Sequence, residues 1–207
     1  FAESGLDHFS VMKAAQAISG EIVFSRLLHT LLDIAIENAG AEQGCLVMEE
    51  NGQWMIQAAE TNDTKGAVGA TPLSGNPLVP ESVVQYVVRT RESLVLDNMQ
   101  QDDRFAADPV VKTRQLRSVL CMPVMNKGNL SGILYLENNL QGGVFTESRV
   151  HFLRLLSGQI AISIENALLY ENLEQKVAQR TEQIARQKDQ IELEKRKSDN
   201  LLLNILP

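Results

Sequence analysis

From Gln159 to Leu206 the chain contains neither glycine nor proline, and its apolar residues recur at helical intervals. Nothing in that stretch interrupts a helix. Val150, Leu153, Leu156, Ile160, Ile164 and Leu168 make a stripe wide enough to pack on a core. After Tyr170 the stripe thins to Val177, Ile184 and Ile191, seven residues apart, continuing through Ser198 to Ile205. Seven-residue spacing is the signature of a left-handed coiled coil. The spacing therefore predicts one helix from about Thr146 to the end, its first turns belonging to a globular domain and its later turns to a parallel homodimer through Tyr170, Val177, Ile184 and Ile191. The companion positions Leu173, Arg180, Gln187, Glu194 and Leu201 are mostly polar, so the seam is weak. A weak seam suits a switch, because two packings of similar free energy can be biased by a ligand. The alternative is a solvated single helix held by side-chain pairs four residues apart.

At 207 residues the chain accommodates one domain with a core and an appendage. The expected division is a globular domain over residues 1–170 and a signalling helix over 171–207. The run Ser198-Asp199-Asn200-Leu201-Leu202-Leu203-Asn204-Ile205-Leu206-Pro207 turns a charged helix into an apolar plug, and the first residue is Phe1. Both features predict a module of a longer polypeptide.

A formal charge of -7, from 26 acidic and 19 basic residues, gives no basic patch to displace counterions from phosphates. Nucleic acid is not an expected partner, nor is a membrane, since no apolar run approaches the length of a spanning helix. Cys45 and Cys121 lie in apolar strand-like runs and predict buried, reduced thiols in a cytoplasmic protein. His8, His29 and His151 stand apart, without a partner at ligand spacing, and the carboxylates Asp97, Asp102, Asp103 and Asp108 lack the order of a calcium loop. No nucleophile elbow, phosphate loop or zinc-protease motif is present. Neither metal nor cofactor is expected in this fragment.

Ahead of the long helix, Val11, Ala14, Ala15 and Ile18, then Leu27, Leu28, Leu31, Leu32, Ala35 and Ile36, predict two helices with a break near Gly20. Cys45–Glu49 and Trp54–Ala59 flank Asn51-Gly52, a strong hairpin signal. Residues 61–79, rich in Thr, Gly, Asn and Pro, predict an irregular loop. Pro80 opens a short helix, Ser93–Asp97 is a brief strand, and a small helix begins near Asp108-Pro109 within the polar segment from Asn98 to Ser118. Val119–Met125 and Leu130–Glu137 form a second hairpin around Lys127-Gly128-Asn129.

This order resembles the GAF domain, an α+β fold with a six-stranded antiparallel sheet and helices packed on one face, here followed by a long C-terminal coiled-coil helix. The match is carried by "VMKAAQAIS" from Val11, "SVLCMPVMNKGNLSGILYLENN" from Ser118, and "FTESRVHFLRLLSGQIAISIENALLYENLEQKV" from Phe145. It looks like the variety found in large bacterial sensors, including cyanobacterial ones. Cys121 is followed by Met122 where bilin-binding relatives commonly have His, and the Asn-Lys-Phe-Asp-Glu signature of cyclic-nucleotide binders has no ordered counterpart. Neither ligand is implied. The tail "SDNLLLNILP" is similar to the segment that precedes the catalytic domain of class III nucleotidyl cyclases, and no His follows His151 to serve as the phosphoacceptor of a kinase.

The resemblance thus implies a non-catalytic sensor that sets the geometry of an adenylate or guanylate cyclase domain downstream. Its alternatives are a purely structural dimerisation module, the sensor of a histidine kinase, or a small reductase of methionine sulfoxide. An unidentified small-molecule effector would bind between the sheet and the segments 61–79 and 98–118. Val95, Phe105, Val110, Leu120, Met122 and Tyr135 are the candidate walls, with Asp97, Ser118 and Glu137 as polar anchors.

Overall fold

The computed structural model describes the backbone of residues 3–19, 23–61 and 64–205, and the side chains of 11–19, 23–61 and 69–197. The elements run α1 (Glu3–Ser19), α2 (Phe24–Ala39), β1 (Gln43–Glu50), β2 (Gln53–Thr61), β3 (Thr64–Pro72), α3 (Glu81–Thr90), β4 (Leu94–Leu96), a 3₁₀ turn (Met99–Gln101), α4 (Pro109–Arg114), β5 (Ser118–Asn126), β6 (Asn129–Asn138) and α5 (Glu147–Ile205). The strands form one six-stranded sheet in the order β3-β2-β1-β6-β5-β4, and every neighbouring pair is antiparallel.

Local chemistry sets most of these boundaries. Asn51 and Gly52, with φ of 52° and 81°, and Lys127 and Gly128, with φ of 49° and 83°, both take the left-handed pair of a type I′ turn. That turn matches the twist of the strands it joins, so β1–β2 and β5–β6 close as tight hairpins. The buried leucines of α2 stop at Gly40, whose φ of 67° lets Ala41 N–H bond the Ile36 carbonyl at 3.0 Å. Pro109 occupies the first turn of α4, capped by the Asp108 side chain, which accepts from Val110 N–H at 2.8 Å.

One expectation is corrected. Residues 61–79 are not an irregular loop throughout, because β3 pairs with β2 from Thr64 to Pro72, for example Ala58 opposite Val68 and Ile56 opposite Thr71. An edge strand needs a partner on one side only, and two register shifts accommodate it. Its glycines and lack of apolar alternation conceal it in the sequence.

Alternate residues of the strands face opposite ways. Cys45, Val47, Val119, Cys121, Ile133 and Tyr135 pack with α3, the 3₁₀ turn and Phe105, Val111 and Leu116. The other face meets α2: a Cβ added at Gly44 would lie 2.4 Å from Leu136 Cδ2 and 3.6 Å from Ile36 Cγ1. Leu134, Leu136, Leu120 and Met122 share that face through their pairings across β5 and β6. The early turns of α5 bury Val150, Leu153, Leu156, Ile160 and Ile164.

The chain divides into two compact units, Phe1–Ala167 and Leu168–Pro207. In the second, the described side chains belong to a charged helix with Arg186–Glu182 and Lys188–Glu192 pairs at 2.5 and 4.0 Å. Both pairs join residues four apart, and at such exposure each contributes a few tenths of a kcal/mol, about 0.3–0.5. Among the described residues α5 also holds the one helical window long and apolar enough to cross a membrane, and part of that window is buried in the domain core.

Candidate functional site

Glu137 is the feature around which the α3/α4 side of the sheet is organised. It lies near the end of β6, only 1% exposed, where a carboxylate must be compensated by donors. Arg114 Nη2, from the last turn of α4, reaches its Oε1 at 2.5 Å. Gln43 Nε2 donates to the same oxygen, as does Asn139 Nδ2 at 2.9 Å, while Tyr135 OH donates to Oε2 at 2.7 Å. Arg114 also donates through Nη1 to the Leu78 carbonyl, tying the segment before α3 to the sheet. Among the described residues no buried side-chain polar atom lacks a partner.

One small cavity borders this network, and a larger one lies by the starts of α3 and α4. The small one, of about 10 Å³, is bordered by Cys45, Ala59, Glu60, Leu78, Tyr135 and Glu137. The larger one, of about 380 Å³, is bordered by Gly75–Pro77, Glu81, Asp108, Val110 and Thr113, and Val79 borders both. Asp108 fixes the wall of the larger cavity: its Oδ2 accepts from Ser82 N–H at 3.0 Å and Ser82 Oγ at 2.7 Å, so one carboxylate holds the starts of α3 and α4 together. Phe105 closes the core nearby, edge-on to Tyr86 at 5.8 Å between centroids.

The nine expected pocket residues do not converge. Phe105, Val110, Tyr135 and Glu137 lie on the α3/α4 side. Leu120 and Met122 pair with Leu136 and Leu134 and face the helix side, and Ser118 shares their parity. Val95, opposite Leu120, borders a separate groove of about 670 Å³ with Phe145, Val150 and His151 of the α5 region. Asp97 is exposed, its carbonyl accepting from Gly143 N–H at 3.1 Å. The reason is the two-residue period of a strand: neighbours of opposite parity cannot line one pocket.

Burial pushes the Cys45 thiol up far above its ordinary value, with the Glu137 charge adding to it, and burial likewise raises Cys121. Both stay protonated and shielded, the reverse of a reactive thiol. Burial, then the neighbouring Glu137 charge, also raises the Tyr135 phenol, which therefore remains a hydrogen-bond donor.

The model of the GAF domain family matches residues 24–164. The chain belongs to the GAF family. Among solved structures, the GAF domain of an Acinetobacter phosphoenolpyruvate-protein phosphotransferase superposes with a TM-score of 0.63 at 20% identity, covering 79% of this chain and 95% of that one. At that identity the likeness shows the fold. Hybrid signal transduction histidine kinase G of Dictyostelium discoideum is 45% identical over 94 residues, 45% of this chain and 3% of its own. Peroxide stress-activated histidine kinase mak3 of Schizosaccharomyces pombe is 26% identical over 178 residues, 82% of this chain and 7% of its own. The GAF chain thus spans a small fraction of these relatives, both of them signalling proteins.

Sequence reasoning found Glu137 and Tyr135 but not Arg114, Gln43 or Asn139. A carboxylate ending the apolar run Ile133–Leu136 is a signal that a cation must reach it. Which of Lys112, Arg114 and Arg117 does so is decided by where α4 ends.

Proposed function

We propose that this GAF domain is the regulatory sensor of a longer signalling polypeptide, and that its output is of the histidine-kinase kind. A small molecule at the α3/α4 side would alter the Arg114–Glu137 network, and α5 would carry the change onward. The observation that carries the reading is α5 itself. Val150, Leu153, Leu156, Ile160 and Ile164 are built into the domain core, while Tyr170, Val177, Ile184 and Ile191 of the same helix are each more than half exposed. Exposed apolar residues at seven-residue intervals suit a parallel pairing with a second copy. Support for the kinase output is the likeness to mak3 over 82% of the chain.

A second reading, a nucleotide cyclase output, is favoured by the sequence Ser198–Pro207, whose side chains lie outside the described residues. The full-length polypeptide distinguishes the two when incubated with ATP or GTP. The kinase reading expects acid-labile phosphate on the protein, and cyclic nucleotide formation would replace it with the cyclase. Absence of both activities would remove either output.

A further inference from the structure

Glu137 and Asn138 are neighbours of opposite parity on β6, so one peptide unit joins the two sides of the sheet. Glu137 meets Arg114 and Tyr135 on the α3/α4 side. Asn138 serves the other side. Its Nδ2 donates to the Gly40 carbonyl at the end of α2, at 3.0 Å, and its Oδ1 accepts from Leu140 and Gln141 N–H, both at 3.0 Å. Asn139 ties the two together: its Nδ2 donates to Glu137 Oε1 at 2.9 Å and its N–H to Glu42 Oε2 at 3.0 Å.

At Gly40 this network meets α5. A Cβ there would lie 2.6 Å from Arg149 Nη1 and 2.8 Å from Arg149 Cζ, so the guanidinium rests on a helix cap that has a φ of 67° and no side chain. The position also suits a cation, because it lies at the carboxyl end of α2. The same Nη1 donates to the Val144 carbonyl at 2.8 Å, and Val144 N–H donates to Oγ of Ser118, the sheet partner of Asn138, at 3.1 Å. Arg149 thereby clamps the residues that enter α5 onto the end of α2. Just beyond them Val150 N–H bonds the Thr146 carbonyl at 3.0 Å in the first turn of the helix.

We propose that Asn138 and Arg149 are positioning residues that couple the Glu137 network to the first turn of α5, with Gly40 as the contact between them. The inference rests on reading the Arg114–Glu137 network as the sensing end, and it deepens that reading by naming the way across the sheet. When Arg114 leaves Glu137, the end of β6 loses the cation that holds it toward α4. Asn138 and Asn139 shift with it, the Gly40 carbonyl loses its donor, and the Arg149 guanidinium loses its seat. Such coupling needs two arrangements of the entry segment, seated and released, and a contiguous set of contacts that biases both.

Native-state hydrogen exchange of the chain, arranged as a double-mutant cycle, tests the proposal. Arg114→Met is made in wild type and in Asn138→Ala, and exchange is followed at the Val150 amide and at Ile160, which is buried further along the same helix. In wild type, Arg114→Met should speed Val150 exchange by roughly fivefold, the lower end of ordinary coupling between sites. In the Asn138→Ala background the same change should alter it by less than about twofold, the limit expected of independent sites. Ile160 should respond equally in both backgrounds, since it reports the stability of the whole domain. Arg149→Met cuts the same route at its other end, should abolish the Val150 response likewise, and takes the place of Asn138→Ala if that variant does not fold. No Val150 response in wild type, an equal response in both backgrounds, or loss of the Ile160 response along with that of Val150 would each overturn the proposal. The sensor reading would then still stand or fall on the output assay, which does not depend on this route.

Discussion

The two faces of the GAF sheet are made from alternate residues of the same strands, yet they are closed by different physics. In β6, Leu134 and Leu136 point to the face covered by α2, while Tyr135 and Glu137 point to the face covered by α3 and α4. The helix face is hydrocarbon, stabilised by area removed from water and by close packing. The other face has an apolar floor but is locked at its rim by an ion pair, whose desolvation cost nearly offsets its attraction. A contact of that kind can be exchanged for another of similar energy. The difference separates a face that holds the fold from the face on which we propose a ligand acts, and β6 belongs to both.

The largest effect is expected on the helix face. Leu136→Ala removes a fully buried side chain from between β6 and α2 and should cost about 3 kcal/mol in urea melts, within the range of large-to-small core changes. A cost below about 1 kcal/mol would mean that the face is loosely packed.

Arg114→Ala comes next, at about 2 kcal/mol, because it leaves Glu137 buried without its cation although water can partly replace a guanidinium that is 23% exposed. The comparison is sharpened by Arg114→Met combined with Glu137→Leu. Removing both charges should restore stability to within about 1 kcal/mol of wild type. Should the double change cost more than Arg114→Ala alone, the ion pair supports the fold in its own right, and the distinction between the faces fails.

The smallest expected effect is in alkali. Tyr135, Cys45 and Cys121 all have folded-state values raised by burial, so the folded chain keeps protons that the unfolded chain releases. Their contribution is complete below the ordinary thiol and phenol values and is lost as pH climbs past these toward the raised folded values. Melting temperature should therefore fall between pH 8.5 and 10.5, a window set by the ordinary thiol and phenol values of about 8.5 and 10. Cys45→Ala should blunt the fall, and an unchanged slope would show that the thiol is not titrating on unfolding.

Much of this fold was legible. Asn51-Gly52 and Lys127-Gly128-Asn129 marked both hairpins because left-handed backbone pairs select such residues. The stripe from Val150 to Leu168 marked α5. β3 was not legible, since an edge strand with Gly66 and Gly69 carries little apolar alternation. The site was half legible. Tyr135 and Glu137 share a parity that could have excluded Leu120 and Met122, given the pairing of β5 with β6. Arg114 belongs to a polar segment whose path over the sheet depends on tertiary packing, and nothing local distinguishes it from Arg117.

The central claim is that α5 transmits the state of the domain and does not merely tether an output. Inserting four residues beside Gln187 in the full-length polypeptide turns the following helix by about 40° beyond a full turn, whereas inserting seven nearly restores its phase, to within about 20°. The account predicts that the four-residue insertion changes output activity or its regulation strongly and the seven-residue insertion little. Equal effects from the two would contradict it.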